Sequence, residues 1–293
     1  ARAAARAGAL VGFALNHTVF QPSGNRGADD LSEWMSLPYN QTRPRRNPLR
    51  LVSCYAYSGG YRWHWLQSSD SFPGQPVVLI HGLLATSGTL LPLAEAITGW
   101  APVLLPDLPG FGLTEGPRET ISIPELAAAV ADWMQVVGAS PAHIVGNSFG
   151  SQVAAELAMR FPHRVRSLTL VGPTIDPSAR DFRTQAGRLL ADLPQEPISL
   201  WTESFELRSA FRTLRNLLSD RIETKLPFIK APALILRGMS DPIAPESWAE
   251  EAASLLANAT AQTLSSGAHC VHFSHPGLVA SAVRKFTFPF RMG

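Results

Sequence analysis

The sequence predicts an α/β fold built on a mostly parallel sheet, and three observations support this class. Short runs of strand character recur at 142–145, 232–237 and 261–264, and the first two are apolar enough to be buried on both faces. A segment of helical composition, 151–158, follows the first run and ends before a proline. Each run leads into a turn with a polar side chain, at the strand end where ligands bind in parallel sheets.

A Gly-Asn-Ser-Phe-Gly pentapeptide, residues 146–150, joins the first of these strands to the helix. A strand that turns abruptly into a helix with Gly-x-Ser-x-Gly at the corner is the nucleophile elbow of serine hydrolases. Glycine at positions 146 and 150 relieves the crowding around a strained backbone. The turn lifts the hydroxyl of Ser148 clear of the sheet, at the positive end of the helix dipole. Ser148 is therefore the predicted nucleophile.

Asp241 lies in the turn 238–242, directly after the predicted strand 232–237. An Asp-Pro pair alone is more typical of a simple turn. The preceding strand favours a catalytic role over a simple turn, because the turn then starts at the carboxyl end of a parallel sheet, where ligands bind. The expected chain order of nucleophile, acid and histidine is also satisfied, so we predict that Asp241 is the catalytic acid.

Three histidines compete for the role of general base. His269 follows the small residues 265–268, where a flexible turn brings an imidazole over the sheet edge. His275 directly precedes Pro276 and is expected to begin the next helix, since proline is favoured in a first turn. His272 is expected to be a packing or surface residue. We therefore predict that His269 completes the triad.

Four blocks together resemble the α/β-hydrolase superfamily, in the branch with a cap between the sixth and seventh strands. The blocks are residues 77–83, 107–112, the elbow 146–150, and the loops of Asp241 and His269. The resemblance covers most of the chain from about residue 50 onward. It implies an eight-stranded, mostly parallel sheet flanked by helices, with a small helical cap inserted after strand 6.

The resemblance also implies an oxyanion hole made of backbone N–H groups. One donor is Phe149, directly after the nucleophile. The other is Leu83, in the loop after the strand that ends at His81 and Gly82. His81 is expected to pack beneath that loop and Asp107 to shape its own turn, so neither is assigned to catalysis.

Composition fits a globular enzyme without a cofactor. The chain has 293 residues, of which 45% are apolar and 16% charged, and its net charge of +2 does not indicate a nucleic-acid partner. The cysteines and histidines show no zinc spacing, and no P-loop or dinucleotide fingerprint is present. We expect no metal, no organic cofactor and a small-molecule ester as partner. With no signal peptide in view, a cytoplasmic location is expected. The oligomeric state stays open.

The predicted organisation has three parts. They are an N-terminal extension, 1–48, a core of 49–173 and 227–293, and a helical cap, 174–226. A hairpin of strands 51–57 and 61–67 is expected to open the core. The start of the extension, 1–15, is too short and too interrupted by glycine to span a bilayer. A helix packed on the core is favoured there over a membrane-surface helix or the remains of a longer processed segment.

Helical runs are predicted in the cap at 181–193, 199–207 and 209–218. Trp201, Phe205 and Phe211 recur at near-helical spacing and are, with Leu84, the candidates for an apolar acyl pocket. An apolar acyl or alkyl substrate is therefore expected.

These features predict a serine hydrolase that cleaves a small to medium apolar carboxylic ester or thioester through an acyl-enzyme. The runner-up is hydrolysis of a C–C bond in a meta-cleavage-type diketone. Enzymes of that type resemble this chain in the Gly-Asn-Ser elbow, but they usually carry Asn where Gly112 stands and Trp where Cys270 stands. A slow-turnover receptor or a lyase with the same triad is the remaining alternative.

Overall fold

Eight strands form one sheet in the computed structural model, which describes residues 51–69, 74–83, 85–117, 121–195 and 217–288. They are β1 Leu51–Ser58, β2 Tyr61–Ser68, β3 Val77–Ile80, β4 Val103–Pro106, β5 Ala142–Asn147, β6 Val165–Val171, β7 Ala233–Arg237 and β8 Ala259–Thr263. The order across the sheet is β1-β2-β4-β3-β5-β6-β7-β8. Only the β1–β2 and β2–β4 pairs of this sheet are antiparallel. The predicted eight-stranded, mostly parallel sheet is confirmed.

Helices follow most of the parallel strands. They are α1 Leu91–Thr98, α2 Ile123–Val136, α3 Phe149–Arg160, α4 Phe182–Asp192, α5 Ile222–Lys225, α6 Glu246–Ser254, α7 Val271–Ser274 and α8 Pro276–Thr287. Short 3-10 turns occur at Ser87–Leu90, Pro162–Arg164, Pro177–Ala179, Leu193–Gln195 and Leu226–Phe228. In the part of the chain that the structure describes, no helix is long and apolar enough to cross a membrane.

The two faces of the sheet are buried in two separate cores, as the alternation along β3 shows. Val78 and Ile80 belong to the core that contains Trp133 of α2. Val77 and Leu79 belong to the other core, beneath α1 and α8. Because successive side chains of a strand point to opposite faces, a strand covered on both sides has to be apolar throughout. This explains the unbroken apolar runs in the sequence.

Two local predictions agree with the structure, and a third differs from it by two residues. The helix predicted at 181–193 is α4, and His275 immediately precedes Pro276, the first residue of α8. Strand β8 begins at Ala259, two residues before the predicted start. Ala259 and Thr260 belong to the strand because they pair with Ala233 and Leu234 of β7. The local composition does not indicate this pairing.

The structure describes the cap only in part and does not describe the N-terminal extension. Helix α4 lies between β6 and β7, where the cap is expected. The predicted helical run 199–207 and most of 209–218 lie outside the described residues, as does the extension, 1–48. The boundaries of these parts stay predictions.

Candidate active site

Ser148 occupies a sharp turn between β5 and α3. Its backbone φ of 52° and ψ of −118° make it the only non-glycine residue with positive φ among the described residues. A Cβ added to Gly146 would collide with the carbonyl oxygen of Gly150, and one added to Gly150 would lie 2.6 Å from the carbonyl oxygen of His81. Glycine is needed at both positions because the strained turn brings backbone into contact with backbone.

His269 connects Ser148 to Asp241 through its two ring nitrogens. Nε2 lies 2.8 Å from Oγ of Ser148, and Nδ1 lies 3.0 and 3.1 Å from the two carboxylate oxygens of Asp241. Asp241 is 3% exposed and His269 6%, so water has little access to this pair. The structure therefore brings the three residues together in the hydrogen-bond pattern of a catalytic triad.

The loop of Asp241 is rigidly held by its surroundings. Oδ1 of Asp241 accepts hydrogen bonds of 2.9 Å from the backbone N–H groups of Ile243 and Ala244. The buried guanidinium of Arg237 donates to the carbonyl oxygens of Asp241, at 2.9 Å, and Ala244, at 2.8 Å. The carboxylate is thus fixed in orientation by donors within its own loop.

The other histidines near the sheet edge have different surroundings. His275 is hydrogen bonded to Ser266, 2.9 Å from its Nε2. His272 is fully buried, and within the described part of the chain Nδ1 of its ring has no hydrogen-bond partner. Burial, and secondarily the charge of His269, lowers the pKa of His272 to about 3, which keeps this ring neutral at ordinary pH.

His81 lies beneath the loop after β3, where the sequence places it. Its Nδ1 is 2.8 Å from the carbonyl oxygen of Gly82, and its Nε2 accepts a 3.1 Å hydrogen bond from the N–H of Leu108. Burial lowers the pKa of His81. A neutral ring with Nδ1 protonated satisfies both contacts, and it joins the loop after β3 to the loop after β4.

A cavity of about 270 Å³ adjoins the serine. Its described lining is mostly apolar and comes from the loop after β3, the elbow, helix α4 and the histidine loop. The lining residues are Gly82, Leu83, Ala85, Thr89, Asn147, Ser148, Thr174, Phe182, Gln185, Ala186, Leu189, Leu217, Ile243, His269, Cys270 and His272.

The two candidates for the oxyanion hole lie in the segments that follow β5 and β3. Phe149 is the first residue of α3, where helix geometry leaves the backbone N–H without a partner inside the helix. Leu83 follows β3 and lines the cavity together with Ser148. The four predicted pocket residues Leu84, Trp201, Phe205 and Phe211 lie outside the described residues.

Comparison with known proteins gives the same fold. A family model described as the alpha/beta hydrolase fold matches residues 75–197. The chain has the α/β-hydrolase fold. A putative lipase of Acinetobacter baumannii is similar to this chain with a TM-score of 0.68 and 24% identity, over 82% of this chain and 91% of that one. A meta-cleavage product hydrolase of Pseudomonas fluorescens has a TM-score of 0.60 and 21% identity, over 80% and 96% of the two chains. At these identities the likeness concerns the fold alone.

Many known proteins are similar in sequence, and two of them are described here. A pimeloyl-[acyl-carrier protein] methyl ester esterase of Xanthomonas oryzae is 26% identical over 246 residues, which are 73% of this chain and 95% of that protein. A biotin biosynthesis bifunctional protein of Cellvibrio japonicus is 26% identical over 240 residues, or 72% of this chain. The present chain matches 47% of that second protein, about half of its length.

A second Ser-His-Asp arrangement occurs in the structure, away from the elbow. Nε2 of His64 lies 2.8 Å from Oγ of Ser53, and its Nδ1 lies 2.7 Å from Oδ2 of Asp107. Ser53 is an exposed residue of the regular strand β1, and it does not line the cavity. Asp107 also accepts hydrogen bonds from the N–H groups of Ser87 and Leu113, so it organises two loops, in keeping with its expected role.

Two cap residues near the triad were not singled out by the sequence analysis. Arg188 contacts the loop of Asp241, and Asp192 contacts the loop of His269. The partners are 55 and 77 positions apart in the chain, so no local motif marks them.

Proposed function

We propose that this α/β hydrolase is a serine esterase that cleaves a carboxylic ester or thioester with a small to medium apolar acyl group. The observation that carries the proposal is the hydrogen-bonded series Ser148–His269–Asp241, which opens onto an apolar cavity. Such a series activates a serine hydroxyl, and an apolar cavity beside it accommodates an acyl chain.

The proposed reaction begins when Ser148 attacks the carbonyl carbon and its proton passes to Nε2 of His269. Asp241 keeps Nδ1 protonated and stabilises the imidazolium that forms. The protonated His269 then gives its proton to the leaving alcohol or thiol, which leaves an acyl-enzyme. A water molecule, deprotonated by His269, attacks the acyl-enzyme and releases the acid.

Charge develops on the carbonyl oxygen during both attacks. The backbone N–H groups of Leu83 and Phe149 are assigned to bind this oxyanion. Donors of this kind are each worth about 2.7–4 kcal/mol of transition-state stabilisation where one has been removed. Because both are main-chain groups, the leucine and phenylalanine side chains remain available for packing, and Phe149 is fully buried.

The size of the cavity supports a modest acyl group. Its volume of about 270 Å³ is slightly below the range of about 300–1,000 Å³ that is typical of pockets for drug-sized ligands. The similarity to a methyl ester esterase supports the same bond type, with a small alcohol as leaving group. Methyl esters therefore belong in the first substrate panel.

The test is hydrolysis of p-nitrophenyl acetate, butyrate and octanoate, and of methyl octanoate, by the wild-type protein and by Ser148→Ala. Continuous turnover that is lost in Ser148→Ala is expected. Ser53→Ala is the matched control, since Ser53 is also hydrogen bonded to a histidine–aspartate pair but lies away from the cavity. This control is expected to keep wild-type rates.

Two other outcomes would contradict the proposal in different ways. A single stoichiometric burst of p-nitrophenol would indicate an acylating serine that does not deacylate, as in a slow-turnover receptor. An absence of release that depends on Ser148 would remove the esterase assignment, and vinylogous diketones would then test C–C bond hydrolysis.

A further inference from the structure

Helix α4 of the cap forms part of the cavity wall. Four of its residues line the cavity: Phe182, Gln185, Ala186 and Leu189. Their spacing of three, four and seven positions from the first places them on one face of the helix. An acyl group in the cavity therefore contacts this face directly.

Arg188 of the same helix is attached to the loop that carries the catalytic acid. Its Nη1 donates a 3.2 Å hydrogen bond to the carbonyl oxygen of Ile243, and its Nη2 lies 2.8 Å from Oδ2 of Asp176. The N–H of Ile243 in turn donates to Oδ1 of Asp241. Ile243 thus connects helix α4 to the carboxylate of Asp241.

Asp192, the last residue of α4, is attached to the histidine loop. Its Oδ1 accepts a 3.2 Å hydrogen bond from the backbone N–H of His269. The side chain is fully buried, and its Oδ2 has no hydrogen-bond partner among the residues that the structure describes. A buried carboxylate with an unsatisfied oxygen is costly to fold, so its presence here calls for a specific role.

We propose that Asp192 and Arg188 are positioning residues, through which helix α4 holds the loops of His269 and Asp241 in place relative to Ser148. The proposal rests on the esterase function and extends it, because it places part of the triad's support in the cap. Asp192 acts through the backbone of His269, and Arg188 acts through Ile243. Burial raises the pKa of Asp192. Oδ1 accepts the hydrogen bond from the N–H of His269 whether or not Oδ2 is protonated.

Helix α4, with eleven residues, thus carries both the face that lines the cavity and the two contacts with the loops of Asp241 and His269.

The experiment compares Asp192→Leu, Asp192→Asn and Arg188→Gln with the wild type in steady-state ester hydrolysis. Asp192→Leu removes the acceptor and is expected to lower kcat by about tenfold to a hundredfold, the cost of a misplaced catalytic group. KM is expected to stay near the wild-type value, because Asp192 does not line the cavity. Asp192→Asn retains an oxygen that accepts the same N–H and is expected to keep most of kcat. Arg188→Gln is expected to lower kcat as well.

Asp181→Ala is the matched control. Asp181 is the exposed N-cap of the same helix, where its Oδ1 accepts from the N–H of Thr184. Its loss weakens the helix without touching either loop, so thermal unfolding is expected to shift while kcat does not. If Asp181→Ala lowers kcat as much as Asp192→Leu, a general loosening of the cap explains the data and the proposal is wrong.

Other outcomes are equally decisive. Wild-type kcat in a folded Asp192→Leu, or an equal loss in Asp192→Asn and Asp192→Leu, would overturn the role of the hydrogen bond. If Asp192→Leu does not fold, Arg188→Gln decides, and wild-type kcat there would overturn the proposal. A wild-type protein that neither turns over esters nor reacts with a fluorophosphonate at Ser148 would instead contradict the esterase function itself.

Discussion

Nε2 of His269 lies 2.8 Å from Oγ of Ser148, although 121 positions separate the two residues in the chain. This contact is a consequence of the sheet. Ser148 follows β5, Asp241 follows β7 and His269 follows β8, and all strands from β5 to β8 run parallel. Their carboxyl ends therefore meet at one edge, where side chains from distant loops come into contact.

Asp241→Asn tests whether the carboxylate orients His269. Asparagine is nearly isosteric, and its amide oxygen can still accept from the N–H groups of Ile243 and Ala244, so the loop is expected to keep its fold. The amide NH₂ no longer stabilises a protonated Nδ1. We expect kcat to fall by roughly 10³–10⁴ in ester hydrolysis, as when the acid of such a triad is replaced in this way.

The control for this substitution is Asp181→Asn, which keeps a good N-cap residue at an exposed position. Its kcat is expected to equal that of the wild type. A loss smaller than about tenfold in Asp241→Asn would show that the carboxylate has little part in the reaction.

The residues predicted from the sequence are those with a strong local signature. Ser148 is marked by glycines that a tight turn requires, and Asp241 and His269 are marked by the strands before them. The order of nucleophile, acid and histidine adds a constraint that chance matches rarely satisfy. The fold and the proposed triad were therefore within reach of sequence reasoning.

The missed features depend on contacts between distant segments. Asp192 is significant because its side chain meets the backbone of His269, and Arg188 because it meets Ile243. The start of β8 at Ala259 depends on pairing with β7. Nothing in the local sequence reports such partners, since tertiary contacts override local propensity.

Gly172 is expected to be required for both stability and activity. It follows β6 with a φ of 55°, and an added Cβ would lie 3.0 Å from both Oδ2 of Asp241 and Cε1 of His269. Gly172→Ala therefore strains the backbone and presses on the histidine–aspartate pair. We expect the free energy of unfolding in guanidinium chloride to fall by more than about 1 kcal/mol, and kcat to fall with it.

Gly187→Ala is the matched control on the cap helix. Among the described residues, no atom lies within 4 Å of a Cβ placed there. Gly187 is an exposed residue inside α4, where alanine is favoured over glycine by about 0.5–1 kcal/mol. The free energy of unfolding is expected to fall in Gly172→Ala and to rise in Gly187→Ala. A neutral or stabilising Gly172→Ala would show that the close approach to the catalytic pair is absent in solution.

His272 is expected to make the fold sensitive to acid. Its pKa is lowered to about 3 by burial, from an ordinary value of 6.5, so the native state leaves it neutral where the unfolded chain binds a proton. Because the unfolded state then holds more protons, the free energy of unfolding falls as pH drops from about 6.5 towards 3. The slope contributed by one such group is about 1.4 kcal/mol per pH unit.

His272→Leu removes this group, along with the unpartnered Nδ1. Denaturant unfolding between pH 7 and pH 4 is expected to show a flatter dependence on pH than in the wild type. Part of the acid sensitivity remains, because burial, with the charge of Arg166 as a second cause, lowers the pKa of His143 to about 4. His163→Gln, at an exposed position, is the control that is expected to follow the wild-type curve. Identical slopes for His272→Leu and the wild type would show that His272 is not buried as a neutral ring.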